Sequence, residues 1–240
     1  MQLRRYISEG CGIFRVRWSQ VLLILLMGLF SLDMQAADND FEGHFSAEMN
    51  KSFARNWEIT LSEELRFNRN KTNYSRSETG AALNYTFARK YVKASVGYAF
   101  INKEKKYSYY DNRHRIYAQF VLREQFGHVK LSWRSKLQST FENEATGEYK
   151  RNPKIYWRNR LTAAYKLRNS KCSPYVSFEF FLSLNDAQRN RVDALRSAVG
   201  CDYILTRRSS IGAYLRMDND IQVKNRQNTF SLGLSYVYDF

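Results

Sequence analysis

From residue 41 to residue 240 the chain alternates apolar and polar side chains with a period of two, interrupted at intervals by polar clusters. That period belongs to β-strands with one apolar and one polar face. In the segment 57–67, Trp57, Ile59, Leu61, Leu65 and Phe67 share one face, and Glu58, Thr60, Ser62, Glu64 and Arg66 the other. The same reading predicts strands over 41–53, 57–67, 77–87, 91–102, 112–124, 128–140, 154–167, 174–185, 192–205, 209–218 and 229–240. Each is long enough to cross a bilayer at a barrel tilt. An unbroken apolar face opposite a charged one suits a wall between lipid and water. The predicted fold class is all-β: a transmembrane antiparallel up-and-down β-barrel. Short connections near 54–56, 88–90, 125–127, 169–173 and 206–208 alternate with longer polar ones near 68–76, 103–111, 141–153 and 219–228. This is the pattern of short periplasmic turns and longer extracellular loops. Eleven segments are counted, whereas single-chain bacterial barrels have an even number. The expectation is therefore ten to twelve strands, with 41–53 the segment that splits, pairs irregularly or enters the lumen.

Ahead of the alternation, Arg4, Arg5, Arg15 and Arg17 precede the apolar run Val21 to Phe30, and Met34-Gln35-Ala36-Ala37 follows. A basic stretch, a short apolar core and small residues form the layout of a secretory signal peptide. As a helix the apolar run would span about 15 Å, roughly half a bilayer core, which disfavours an anchor. The expected organisation is a signal peptide over 1–36 and a barrel over 37–240, placed in the bacterial outer membrane. Composition fits. Tyr and Phe number 17 and 16, and the two prolines, Pro153 and Pro174, fall at expected strand starts. Mean hydropathy is negative, as it is when polar lumen residues offset lipid-facing ones.

The last strand places Phe230, Leu232, Leu234, Tyr236, Tyr238 and Phe240 on one face. It resembles the C-terminal signal of bacterial outer-membrane barrels. The resemblance implies that the β-barrel assembly machinery reads Tyr236, Tyr238 and Phe240. A second likeness rests on Lys51-Ser52-Phe53-Ala54-Arg55-Asn56-Trp57, Glu63-Glu64-Leu65-Arg66-Phe67, Ala88-Arg89-Lys90-Tyr91, Val96-Gly97-Tyr98 and Arg113-His114-Arg115. These stretches resemble the outer-membrane barrels catalogued as domain of unknown function 2490. That family implies a location and a fold and assigns no activity. In composition, though not in motif, the chain is also similar to small monomeric barrels that take up acidic oligosaccharides through basic pores.

Charge narrows the functional classes. The formal net charge is +15, and most of the excess lies beyond residue 36. The expected inward face carries Arg113, Arg115, Arg123, Lys130, Arg134, Lys136, Arg158, Arg160, Lys166, Arg196 and Arg216, against Glu58, Glu64, Glu78, Glu179, Asp202 and Asp218. A water-filled lumen so lined concentrates anions. Two readings follow: a narrow anion-favouring channel for small acidic solutes, or a structural barrel packed with interlocking Arg and Glu. Loop residues Arg69, Lys71, Arg76, Lys103, Lys105, Lys106, Lys150 and Arg151 would meet outer-membrane lipid, above all lipopolysaccharide phosphates. The charges alternate with apolar residues instead of clustering, which argues against nucleic acid. A monomer is expected.

Catalysis has a thin basis. His44, Ser46 and Glu48 share the inward face and could suggest a hydrolytic triad, but alternation produces such spacings by chance and the lumen lies away from lipid. The reading is of a protein without enzyme activity, without cofactor and without metal, since the chain carries no metal-ligand cluster, phosphate loop or dinucleotide signature. Cys11 would leave with the signal peptide. A hairpin around 186–189 would bring Cys172 and Cys201 close enough for a disulfide at the periplasmic rim, in a compartment where disulfides persist.

Overall fold

The computed structural model describes residues 40–68, 73–87, 91–105, 109–142, 152–185, 190–221 and 228–240. They belong to one compact unit. The signal-peptide expectation, Cys11 and the loop residues Arg69, Lys71, Lys106, Lys150 and Arg151 lie outside the described residues.

Eleven strands follow one another: β1 (Asp40–Ala54), β2 (Trp57–Asn68), β3 (Asn73–Phe87), β4 (Val92–Lys105), β5 (Tyr109–Phe126), β6 (Val129–Glu142), β7 (Lys154–Tyr165), β8 (Cys172–Ser183), β9 (Arg191–Ile204), β10 (Ser209–Asp220) and β11 (Asn228–Asp239). Each pairs with its sequence neighbours, and β1 pairs with β11, so the sheet closes into a barrel. Closure leaves no open edge, and every strand finds a partner on both sides.

The even-number expectation is corrected: the barrel has eleven strands. In a meander each strand reverses the last, so an odd count makes the first and last strands run the same way. β1 and β11 accordingly pair in parallel, from Asp40↔Thr229 to Asn50↔Asp239. Residues 41–53 neither split nor enter the lumen. They form a full wall strand whose other edge pairs antiparallel with β2. Two side-chain and main-chain links tie the seam near one end. Asn50 Nδ2 donates to Asp239 Oδ1 at 3.0 Å, and the Phe240 amide donates to the Asn50 carbonyl at 2.9 Å.

The polarity is inside-out relative to a soluble domain. Phe45, Met49, Ile59, Leu61, Val96, Ile116, Leu137, Leu161 and Leu215 stand exposed on the outer wall, while His44, Asn84, Ser95, Asp111, Arg115, Arg158, Glu179, Arg216 and Ser231 are buried inside. Aromatic rings flank this belt. At the end carrying the tighter turns, Trp57 packs edge-on to Tyr85 at 4.8 Å and Tyr238 to Phe240 at 4.7 Å. Phe45 and Phe67 do the same nearer the other end, at 5.9 Å. Apolar bands bordered by aromatic girdles are the lipid-facing pattern of barrels.

The connections at the tight end run over 55–56, 88–91, 127–128, 166–171 and 205–208. Gly127 opens a two-residue turn with φ +59°, a value suited to glycine. At the opposite end, two loops expected to be long are short. Pairing continues through Asn73 and Lys105, leaving 69–72 and 106–108. Above the apolar belt both strand faces turn polar, so the period-two signal fades although the ladder continues. The longer connections at that end are 143–153, 184–190 and 221–227.

Candidate functional site

Lumen geometry follows from register, because residues directly opposite across neighbouring strands share a level. One level runs Val121, Arg134, Arg160, Glu179, Arg196, Asp218 across β5 to β10. The next level toward the tight-turn end runs Arg123, Ser132, Thr162, Ser177, Ala198, Arg216. In the first, three arginines stand with two carboxylates, Glu179 and Asp218. In the second, four consecutive strands present short side chains, and space opens.

Glu179 is the hub of the first level, with only 1% of its surface exposed. Arg134 donates to Oε1 at 2.7 Å and Arg158 Nε to the same oxygen at 3.0 Å. Arg160 donates Nε and Nη2 to Oε2 at 3.1 and 2.9 Å. Arg196 stands 3.8 Å from Oε2. Phe181 lies between the Arg158 and Arg196 guanidinium groups, at 4.4 and 4.9 Å, where its ring face favours positive charge. Arg196 also forks onto Asp218 at 2.5 and 3.1 Å. Arg216 joins the same carboxylate at 3.1 Å.

Across the lumen Glu78 accepts from Arg76 and, at 2.7 Å, from Arg115. Glu64 accepts from Arg66, and Glu58 from Lys93 at 2.6 Å. Near the loop end Arg113 bridges Asp111 and Glu142 at 2.8 and 2.6 Å. Beside this packed region Ala99 and Ile101 are almost fully enclosed.

A cavity of about 890 Å³ lies in the lumen beside these pairs. Nine arginines and two lysines line it, against three carboxylates, Glu64, Glu78 and Asp202. Arg115, Arg123, Lys130, Arg134, Lys136, Arg158, Arg160, Arg196 and Arg216 are all in the wall. Arg113 is not, being held in its own pairs toward the loop end. Lys166 lies beyond the end of β7 and outside the wall. Arg123, Lys130 and Asp202 are exposed where the cavity reaches the tight-turn end. Lys136 Nζ sits 3.6 Å over the Tyr117 ring. Among the described residues no carboxylate lies within ion-pair distance of Arg123, Lys130 or Lys136, and Asp202 is the acid whose charge Lys130 feels.

The structure also places residues that alternation alone did not single out. Glu179 was one inward acid among six, and its role as hub depends on the register of four strands. Glu63 faces outward within the apolar wall and accepts from Thr79 Oγ1 at 2.6 Å. His44 is buried, its Nε2 2.9 Å from Glu42 and 3.2 Å from Arg216. No hydrogen bond joins it to Ser46 among the described residues, so a nucleophile–base pair is not assembled there. Cys172 and Cys201 are disulfide-bonded, with Cα atoms 6.4 Å apart. Pro174, two residues from Cys172, is register partner to Cys201.

A family model described as "Protein of unknown function (DUF2490)" matches residues 41–236. None of the curated proteins matches the chain. Among solved structures, outer-membrane expressed OmpT of Vibrio cholerae aligns at 9% identity and a TM-score of 0.37, covering 72% of this chain and 62% of that one. An anion-selective porin from Comamonas acidovorans aligns at 12% identity and a TM-score of 0.35, covering 76% and 55%. The chain thus spans less than two thirds of either structure's length.

Proposed function

From the premise that this chain belongs to the DUF2490 family, over residues 41–236, we propose that it is a monomeric outer-membrane barrel offering small acidic solutes a narrow, anion-favouring path. The exposed apolar wall and its aromatic borders support the membrane setting, because only a closed sheet or a helix satisfies every backbone group in lipid. The observation that carries the functional part is the cavity wall: eleven cationic side chains against three carboxylates. Such a wall favours anions over cations wherever water fills it. In the same proposal, basic loop-end residues meet lipopolysaccharide phosphates, and Tyr236, Tyr238 and Phe240 present the last strand to the assembly machinery.

The test is conductance of the refolded barrel in a planar bilayer under a salt gradient. The expected result is a small steady conductance with an anion-selective reversal potential. Lys130→Glu and Lys136→Glu should shift that potential toward cations, since both lysines line the cavity and neither is held in an ion pair among the described residues. A folded barrel that stays silent would favour the second reading, a non-conducting structural barrel. The Glu179 hub supports that reading: a carboxylate so enclosed, held by arginines from β6 and β7, fills the lumen at its level.

A further inference from the structure

Two adjacent levels of the cavity wall make a more specific site. Ser132, Thr162 and Ser177 are direct register partners on β6, β7 and β8, and all three line the cavity. None of their hydroxyls has a hydrogen-bond partner among the described residues. One level further in stand Arg134 and Arg160, also direct register partners. Like charges opposite one another across strands repel. These two, with Arg158 beside them, share the single carboxylate of Glu179. Buried Nε of Arg134 has no partner. A row of free hydroxyls thus runs beside an under-neutralised row of arginines, an array of donors that suits a group with several acceptor oxygens.

We infer that this is an oxyanion seat, and that it takes a phosphate or sulfate group. A tetrahedral oxyanion directs its oxygens out of one plane, so it reaches the guanidinium row and the neighbouring hydroxyl row at once, a spread that the two coplanar oxygens of a carboxylate do not have. The cavity far exceeds a bare ion and lies in the range of small-molecule sites. The group is therefore carried on a small organic solute, whose body rests toward Tyr175 and Tyr214. Exposed Arg123 and Lys130 put the entrance at the tight-turn end. The seat deepens the anion-path reading, because it rests on the same water-filled cavity, yet it can be measured without any current.

The experiment is calorimetric titration of the refolded barrel in detergent micelles with inorganic phosphate, then sulfate, at constant ionic strength made up with chloride. Saturable binding of either with one-site stoichiometry is expected, with a melting temperature raised by that anion and not by chloride. Thr162→Leu blocks the hydroxyl row without changing charge and should weaken binding at least tenfold. Arg160→Gln keeps Glu179 bonded to Arg134 and Arg158 and should weaken it as well, which covers the case in which the leucine variant does not fold. A linear, unsaturated response equal to that of chloride overturns the seat, as does undiminished binding in a folded variant. Tighter binding of phosphate than sulfate, or the reverse, identifies the ester class. Saturable binding to a barrel that conducts nothing retains the seat and discards the channel. Anion-selective current without saturable binding does the opposite.

Discussion

Arg160 directs both Nε and Nη2 at a single oxygen of Glu179, at 3.1 and 2.9 Å, and leaves the other oxygen to Arg134 and Arg158. One carboxylate thereby holds strands β6, β7 and β8 together from inside. Glu179→Gln keeps the shape and removes the charge, leaving three neighbouring guanidinium groups without a counter-charge. Breaking a buried pair from one side costs about 3–5 kcal/mol. The urea midpoint of the refolded barrel should fall accordingly. Neutralising Lys136, which has no carboxylate to lose, should leave the midpoint nearly unchanged in Lys136→Met.

The Tyr175 ring covers Gly200 on the next strand, so closely that an added Cβ would stand 2.7 Å from its Cζ. A Cβ at Gly200 would also meet the Ala213 carbonyl at the same distance. A ring laid over a strand glycine shields the backbone and pins the register. Gly200→Val should displace the ring and destabilise the barrel by about 1–3 kcal/mol. The Gly200→Val, Tyr175→Ala double variant should recover part of that loss in the same unfolding measurement, and full additivity of the two losses would contradict the contact.

Most of the wall was legible because alternation is local. A residue such as Leu61 or Glu64 declares its side of the sheet from its neighbours alone, and strand limits followed to within a few residues where the apolar period was intact. It failed where that period ends: Asn73 and Lys105 still pair, although nothing apolar marks them. Glu63 was invisible for the opposite reason, as one polar break in an apolar row does not disturb the period. The parallel seam was implicit in the count of eleven segments, but no single segment carries it, and the even-number rule for bacterial barrels set that count aside. The convergence on Glu179 needed the register of β6 through β9, which the turns and the bulge between Phe181 and Leu182 decide.

Glu63 offers a test of which surface meets lipid. It projects outward between Leu61 and Leu65 with Thr79 Oγ1 as its donor. A charged group on the lipid face costs up to about 2–4 kcal/mol for a midplane Arg or Lys, and less for a carboxylate. Glu63→Leu should therefore stabilise the barrel in lipid vesicles by roughly 1 kcal/mol, and Glu63→Lys should destabilise it. If the outer wall faced water, the two substitutions would have small effects of the opposite order.

The parallel seam predicts a cross-link that an even-stranded barrel forbids. Ser46 on β1 is the register partner of Ser235 on β11, and both point into the lumen. Adjacent paired strands lie about 4.8 Å apart, within the Cα range of about 4.4–6.8 Å that a disulfide needs. Ser46→Cys with Ser235→Cys should bridge under mild oxidation and change the unfolded mobility on gels. Ser46→Cys with Asp239→Cys is four residues out of register, about 13 Å along the strand, and should remain reduced. If β1 instead left the wall and β2 closed on β11, the first pair would stay open. Cys172 and Cys201 already occupy one another, so in a barrel produced from residue 37 onward, without Cys11, the assay reads the introduced thiols alone. Formation of the bridge in the first variant and not in the second fixes the register of β1 against the last strand, and a second bridge in Asn50→Cys with Asp239→Cys, partners only when the strands are parallel, fixes its direction.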